Sequence, residues 1–270
     1  MSQLGDEPTK MGTSFESRLV LGMRVDAPTF EDAAAQIMEW ATERSPRMVC
    51  AANVHMTMEA HDDPGFQAQI NDADLVLPDG VPMVWALRLL GASPASRVRV
   101  SPDFLIELLA RAEYEGVKLG LHGGTDETLA AFRRFLEREF PGLTVAFSYA
   151  PPFRPLTPEE DAAVVDEIDA SGAQLLLVGI GCPKQEKWMA AHRERLSCVM
   201  FGVGAAFDLF GGKTREAPLW MQHLGLEWAF RLMLEPRRLW RRHLRHNPRF
   251  VALLARGILE AWRVSCFRNP

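Results

Sequence analysis

Short runs of apolar residues alternate with helical segments along most of the chain. Each run is nearly continuous in apolar character, which is typical of strands that are buried on both faces of a parallel sheet. Six such strands are predicted, over residues 48–53, 75–77, 117–122, 143–147, 174–179 and 198–203. Helices are predicted between them, over residues 30–43, 55–60, 64–71, 82–90, 101–114, 126–140, 159–171 and 184–196. The alternation predicts an α/β fold, with a Rossmann-like parallel sheet and helices on both faces.

The two ends of the chain depart from this pattern. Residues 1–17 carry Gly, Ser, Thr and charge without periodicity, and they are predicted to form a flexible N-terminus. A short strand is predicted at residues 18–25, and the α/β catalytic domain is expected to span residues 18–212. Residues 213–270 are predicted to form a basic helical appendage of three short helices, punctuated by Pro236 and Pro248.

Composition sets limits on the class of protein. The hydrophobic share of 47% and the charged share of 24% are ordinary for a globular protein. The chain has no stretch of about 18 uncharged apolar residues, so no transmembrane helix is predicted. The first ten residues lack the pattern of a signal peptide, which favours the cytoplasm. The scattered cysteines favour neither a zinc site nor a disulfide framework: Cys50, Cys182, Cys198 and Cys266.

Charge is distributed unevenly along the chain. Residues 215–270 contain eleven Arg and four Glu, a net charge of +7, whereas the remaining 19 basic and 31 acidic residues give −12. An acidic body with a basic tail predicts that the tail meets anions. Nucleic acid, lipid headgroups and a pyrophosphate are the alternatives.

Polar and glycine residues follow several predicted strands. Parallel sheets bind ligands at the carboxyl ends of their strands, so this edge is the expected site. Asp79 and Gly80 directly follow one strand, and Gly123 and Gly124 follow another. Asp79 is either a general base for an attacking hydroxyl or a turn-forming Asp before Gly. The motif Asp72-x-Asp74 resembles a metal-binding pair but precedes its strand, which favours solvation of a helix end.

The segment after residue 179 forms a tight turn and the start of a helix. Gly179 and Gly181 would let backbone amides approach a phosphate, although the third glycine of a dinucleotide fingerprint is absent. Lys184 adds a positive donor, and Gln185 either binds a sugar or nucleobase or caps the helix.

Two further sets of residues have both functional and structural interpretations. Asp208 follows the last strand and either binds a ribose or sugar or pairs with an arginine of the tail. The side chains of Arg231, Arg238 and Arg241 recur on one helical side and would stabilise a departing diphosphate or adhere to anionic lipid. The histidines show no metal-ligand spacing, so no metal site is expected.

Four segments together resemble the WecG/TagA/CpsF family of glycosyltransferases, glycosyltransferase family 26. The resemblance covers about residues 19–247. The segments are Ala73-Asp-Leu-Val-Leu-Pro-Asp-Gly80, Gly179-x-Gly-x-Pro-Lys-Gln-Glu-Lys-Trp188, Gly202-Val-Gly-Ala-Ala-Phe-Asp208, and Arg215 to Arg238 with its Ala-Pro-x-Trp-Met-Gln and Leu-Gly-Leu-Glu-Trp motifs.

The resemblance implies an inverting, metal-independent transferase that needs no cofactor. Such an enzyme would move a hexose or an N-acetylhexosamine, of the N-acetylmannosamine type, from a UDP-sugar to a polyprenyl-diphosphate-linked glycan in cell-surface or exopolysaccharide synthesis. The family's proposed catalytic base corresponds to Asp79. Its other polar site residues correspond to Asn53, Gln185, Arg231, Arg238 and Arg241.

The chain departs from the family pattern in two places. Many relatives carry Thr where this chain has Ala51, which removes a hydroxyl near the expected sugar. The stretch from Arg97 to Asp103 also differs, so the family arginine corresponds to either Arg97 or Arg99.

The expected partners are a UDP-sugar, a lipid-linked glycan acceptor and the anionic inner face of the cell membrane, with a peripheral association. The competing hypothesis is a non-catalytic nucleotide-binding module held at the membrane surface. Nucleic-acid binding is disfavoured because the body is acidic and the tail lacks a recognised reading module. The oligomeric state stays open, with a homo-oligomer among the alternatives.

Overall fold

A central parallel sheet confirms the predicted α/β class. The computed structural model describes residues 15–93, 100 and 102–268. The strands in these residues are β1 (Ser17–Val20), β2 (Met23–Asp26), β3 (Arg47–Ala52), β4 (Leu75–Pro78), β5 (Leu119–Gly123), β6 (Val145–Tyr149), β7 (Leu175–Gly179) and β8 (Val199–Gly202). The last six form one parallel sheet in the order β4-β3-β8-β7-β5-β6.

Helices connect the strands and cover the sheet. In the described residues they are α1 (Phe30–Thr42), α2 (Val54–Asp62), α3 (Pro64–Asp72), α4 (Val81–Leu89), α5 (Pro102–Glu115), α6 (Asp126–Glu139), α7 (Pro158–Ser171), α8 (Lys184–His192), α9 (Ala206–Phe210), α10 (Leu219–His223), α11 (Glu227–Leu234) and α12 (Pro236–Arg268). The sequence pattern missed α9, which is only five residues long. It also extended α8 four residues too far.

The hydrophobic core lies in two layers, one on each face of the sheet. Successive residues of a strand point to opposite faces. Thus Cys50 packs in one layer and Val49 in the other, and both side chains are fully buried. This double burial explains why the strands read as continuous apolar runs.

The carboxyl ends of the strands are aligned at one edge of the sheet. Ala52 of β3 is paired with Pro78 of β4, so the residues that follow them emerge side by side. Gly202 of β8 lies beside Cys50 on one side and Val178 on the other. This alignment collects the polar and glycine segments singled out in the sequence at one edge.

The N-terminal strand prediction needs correction. Residues 18–25 form an antiparallel hairpin of β1 and β2 instead of one strand, because Leu21 and Gly22 make a turn with φ of 53° and 87°. Asp26 then anchors the hairpin to the sheet by accepting a hydrogen bond from the Val76 amide at 2.8 Å. The predicted flexible segment of residues 1–17 lies mostly outside the described residues, but Ser17 already belongs to β1.

The appendage also differs from the prediction of three short helices. Pro236 does separate α11 from α12, but Pro248 lies inside a single helix of 33 residues. The helix is packed on both sides of Pro248, and His246 before it is 4% exposed. Phe250 is 3% exposed within the core, and Arg249 forms a bidentate pair with Asp62 of α2 at 2.6 Å. No helix in the described part of the chain combines the length and apolar character needed to cross a bilayer.

Candidate active site

Asn53 and Asp79 meet at the carboxyl edge of the sheet. Both residues are partly exposed, and each directly follows one of two neighbouring strands, β3 and β4. The Asn53 Nδ2 atom donates a hydrogen bond to Asp79 Oδ2 at 3.1 Å. The Asp79 backbone is fixed as well, because its amide donates to the Ala52 carbonyl at 2.7 Å. The pair therefore presents an oriented carboxylate where the fold is expected to bind ligands.

Two helices begin at this edge without a side chain to cap them. Gly80 is the N-cap residue of α4, and Pro183 is that of α8, and neither supplies a capping hydrogen bond. The first amides of a helix attract anions because they lack partners within the helix. Lys184, the exposed first residue of α8, adds a positive charge at one of these ends.

Gly123 and Gly124 allow β5 and β7 to approach closely. A Cβ atom at Gly123, whose φ is 138°, would lie 2.5 Å from the backbone of Gly179. The Gly124 amide donates to the Gly179 carbonyl at 3.2 Å. Gly123 is therefore required by backbone packing in this structure, and its predicted contact with a substrate stays a prediction.

The turn after β7 is organised by Gln185. Its Oε1 atom accepts a hydrogen bond from the Gly181 amide at 3.2 Å, and its side chain is 3% exposed. Gly181 has a φ of 87°, and a Cβ atom added there would meet nothing within 4 Å, so the space above the turn is open. Gln185 thus shapes the turn from below without capping α8, and its predicted contact with a sugar or nucleobase stays a prediction.

Glu186 is a buried carboxylate that the sequence analysis did not assign. It is fully buried, and its Oε1 atom accepts a hydrogen bond from Gln185 Nε2 at 2.7 Å. Burial raises the pKa of Glu186, while hydrogen bonds from Gln185 and Cys182 oppose that shift. No sequence signal distinguishes this residue from the exposed Glu and Lys residues of an ordinary helix.

Asp208 lies across the sheet edge from Asp79, close to the segment after β5. Its Oδ1 atom accepts a hydrogen bond from Thr128 Oγ1 at 3.3 Å and lies 3.9 Å from Lys213 Nζ. A Cβ atom added at Gly124 would lie 3.5 Å from the side chain of the same Thr128. These contacts make Asp208 part of the wall at this edge, and its predicted sugar contact stays a prediction.

The appendage packs beside the loop that carries Asp79. A Cβ atom at Gly225, between α10 and α11, would lie 3.3 Å from Val81 in the first turn of α4. Arg231 lies on α11 and Arg241 on α12, so the prediction of one shared helical side fails at Pro236; both side chains are exposed. Arg238 lies in α12, and its side chain is outside the described part of the chain. The segment between α10 and α11 therefore lies against the first turn of α4, and the predicted contacts of the three arginines stay predictions.

The fold brings His55 and His246 together, which their spacing in the sequence did not indicate. The helix α12 folds back onto α2, which brings both rings next to Glu59. The ring centroids of the two histidines are 5.2 Å apart. They are separated by 191 positions in the chain, so sequence spacing could not reveal the group.

Asp72 and Asp74 lie at the opposite edge, as the sequence order predicts. Asp74 pairs with Arg47 at 3.0 Å and with Arg193 at 2.6 Å, and it accepts the Met48 amide at 2.8 Å. A depression of about 370 Å³ near Asp72 belongs to this edge and not to the candidate site. The motif has a structural role here, through ion pairs rather than solvation of a helix end.

The structure describes one of the two departures from the family pattern, Ala51. Ala51 is buried in β3, two residues before Asn53, and is 8% exposed. Arg97 and Arg99 lie outside the described residues, so the choice between them stays open.

Comparison with known proteins identifies the family of the chain. The family described as "Glycosyl transferase WecG/TagA/CpsF family" matches residues 18–264. A protein of Bacillus spizizenii (strain W23), an N-acetylglucosaminyldiphosphoundecaprenol N-acetyl-beta-D-mannosaminyltransferase, is 30% identical over 204 residues, which are 75% of this chain and 76% of that protein. With the family match covering both the sheet and the appendage, the chain belongs to the WecG/TagA/CpsF family and is a glycosyltransferase.

Proposed function

We propose that the protein transfers a hexose or N-acetylhexosamine, of the N-acetylmannosamine type, from a UDP-sugar to a polyprenyl-diphosphate-linked glycan. The observation that carries the proposal is the hydrogen bond between Asn53 and Asp79 at the carboxyl edge of the sheet. The name of the Bacillus spizizenii relative supports both the N-acetylmannosamine-type sugar and the lipid-linked acceptor.

Asp79 acts as the general base in this reaction. Its carboxylate takes the proton from the acceptor hydroxyl as the oxygen attacks the anomeric carbon of the donor. The bond from that carbon to the UDP oxygen breaks on the opposite face, so the configuration is inverted and UDP leaves with the electron pair. Asn53 holds one carboxylate oxygen in place during the transfer. A correctly placed base of this kind contributes about 10²–10⁴-fold to the rate.

The donor lies along the edge between Asp79 and the turn at Gly181. These residues follow β4 and β7, which are three strand intervals apart in the sheet. At about 4.8 Å per interval, the distance is about 14 Å, which suits an extended nucleotide sugar. The open space above Gly181 and the uncapped N-terminus of α8 receive the nucleotide end of the donor, and the phosphate bonded to the sugar lies nearer Asp79.

Arginines of the appendage take the place that a divalent metal ion holds in other glycosyltransferases. Arg231, Arg238 and Arg241 neutralise the departing diphosphate, because a guanidinium group matches phosphate oxygens with paired N–H donors. The support is the position of the appendage beside α4 and its net positive charge. The bond-making step then needs no Mg²⁺ or Mn²⁺.

The acceptor is reached at a membrane surface, with which the protein associates peripherally on the inner face. The appendage exposes large apolar side chains among its arginines, including Trp220, Leu224, Trp228, Met233, Trp240 and Leu244. Apolar and basic side chains together favour an interface with anionic lipid.

A UDP-release assay over a panel of UDP-sugars tests the proposal, with a polyprenyl-diphosphate-linked glycan as acceptor. We expect release that depends on the acceptor for one donor of the panel and that Mg²⁺ or Mn²⁺ does not raise. UDP binding without acceptor-dependent release from any donor would support a non-catalytic nucleotide-binding module instead.

A further inference from the structure

Three potential metal ligands meet where the appendage contacts the α/β domain. His55 and Glu59 lie one turn apart on α2, and His246 reaches them from α12. Glu59 Oε1 lies 3.7 Å from His55 Nδ1 and 3.5 Å from His246 Nε2. One ligand atom from each residue lies within 4.8 Å of the others. The side chain of His246 is 5% exposed, and those of His55 and Glu59 are partly exposed.

The contacts of His55 leave its Nδ1 atom without a hydrogen-bond partner. The backbone hydrogen bond of the ring is made with Cys182, while Nδ1 is buried and unpaired. The Nδ1 atom faces the carboxylate of Glu59 across a gap of 3.7 Å.

The size of the gap favours a metal ion over a proton. A shared proton would need a separation of about 2.7–3.2 Å between the two heavy atoms. Tetrahedral zinc, with bonds of about 2.0–2.2 Å, places its ligand atoms about 3.4 Å apart. The observed separations of 3.5 Å and 3.7 Å are close to the second value. The contact between His55 and the Cys182 backbone also matches the outer hydrogen bond that a ligating histidine usually makes.

We propose that His55, Glu59 and His246 bind one Zn²⁺ ion, which fastens α12 to α2. Two imidazoles and one carboxylate suit zinc better than Mg²⁺ or Ca²⁺, which prefer oxygen ligands. The ion would lie between the two helices, and none of its three ligands takes part in the proposed transfer step. The ion pair of Arg249 with Asp62 and the burial of Phe250 dock the same helix without metal. The metal-free protein therefore folds, and zinc adds a further connection between its two parts.

Zinc binding to the full-length protein tests this site. The protein is stripped with a chelator, and its affinity for Zn²⁺ is measured by competition with a chromophoric chelator. We expect one equivalent of Zn²⁺, and we expect Co²⁺ to give the intense visible absorption of a tetrahedral complex. His246→Ala and Glu59→Gln should weaken binding by more than about 100-fold, since loss of an outer-shell partner alone costs about 10–100-fold. His61→Ala is the matched control, because His61 is an exposed histidine on the same helix.

Hydrogen exchange distinguishes an ion that connects α12 to α2 from an ion bound elsewhere on the protein. Zn²⁺ should slow exchange of the backbone amides near His246 in the wild-type protein and in His61→Ala, but not in His246→Ala. Glu59→Gln keeps the size of the side chain, so its melting temperature without metal should match that of the wild type. Two results would overturn the proposal. One is stoichiometric Zn²⁺ binding that is unchanged in both His246→Ala and Glu59→Gln. The other is a wild-type affinity for Zn²⁺ no higher than that of His246→Ala.

Discussion

The side chain of Asn53 connects Asp79 to the first turn of α2. Its Nδ2 atom donates to Asp79 Oδ2 at 3.1 Å, while its Oδ1 atom accepts the amide of Met56, also at 3.1 Å. One residue thus caps a helix and orients a carboxylate. The orientation of the Asp79 carboxylate is thereby tied to the backbone of α2, and the two roles of Asn53 can be separated by substitution.

Asn53→Ser should reduce activity while preserving stability. Serine caps a helix about as well as asparagine but has no amide to donate to Asp79. Loss of a hydrogen bond to a charged group costs about 1.5–3 kcal/mol, so kcat should fall about 10- to 100-fold. Asn53→Ala should lose the same activity and in addition about 1 kcal/mol of unfolding free energy. Steady-state kinetics and chemical denaturation check both variants, and an active Asn53→Ser enzyme would remove Asn53 from the mechanism.

Gly123 and Gly181 should respond differently to alanine. At Gly123 the new Cβ would lie 2.5 Å from the backbone of Gly179, which cannot move aside, so Gly123→Ala should cost about 3 kcal/mol or more. At Gly181 the space is open and only the φ of 87° is unfavourable, for a cost of about 1–2 kcal/mol. Denaturation of the two variants compares these costs, and equal values would contradict the packing argument.

Acid should destabilise the protein partly through His122. This residue is 1% exposed at the end of β5, and its ring is stacked at 4.5 Å from Trp188 and at 5.8 Å from Tyr149. Burial lowers the pKa of His122 from 6.5 to about 4. Between these values the unfolded chain binds a proton that the folded protein does not, so the free energy of unfolding falls as the pH falls from 6.5 to 4.

The size of this effect can be measured against a variant that does not titrate. One pKa unit is worth about 1.4 kcal/mol. His122 therefore lowers the free energy of unfolding by on the order of 3 kcal/mol as the pH falls from 6.5 to 4. His122→Phe keeps a ring in the stack and should show a correspondingly weaker pH dependence between pH 6.5 and pH 4. Denaturation at several pH values gives the free energy of unfolding of both proteins and checks this. An equal pH dependence of that free energy in the two proteins would contradict it.

The appendage arginines should affect turnover without affecting stability. Arg231 and Arg241 are exposed, so their replacement by alanine should leave the melting temperature unchanged. Loss of a donor to the departing diphosphate should lower kcat by about 10²–10³-fold. Arg256→Ala is the matched control, because Arg256 is an exposed arginine of α12 that pairs with Glu260. If Arg231→Ala and Arg241→Ala are as active as this control, the appendage serves only to bind the membrane surface and takes no part in the transfer.

The sheet and the Asp79 edge were predictable because their signals are local. Continuous apolar runs identify buried parallel strands, and the position of Asp79 directly after β4 follows from chain order alone. The register that pairs Ala52 with Pro78 then places Asn53 beside Asp79. Chain order likewise placed the motif at Asp72 and Asp74 at the edge away from the candidate site.

The remaining features depend on contacts between distant parts of the chain. The continuity of α12 through Pro248 depends on its packing against α2, which no local pattern encodes. The groups formed by His55 with His246, and by Gly123 with Gly179, depend on how helices and strands pack in three dimensions. The burial of Glu186 is invisible for the same reason, since the nearby lysines of the same helix are exposed.

The activity of Asp79→Asn tests the central claim most directly. Asparagine preserves the size of the side chain but cannot take a proton, so acceptor-dependent UDP release should fall about 10²–10⁴-fold. UDP affinity and the melting temperature should match those of the wild type and of the exposed control Asp166→Asn. Wild-type turnover by Asp79→Asn would show that the carboxylate at the sheet edge is not the base.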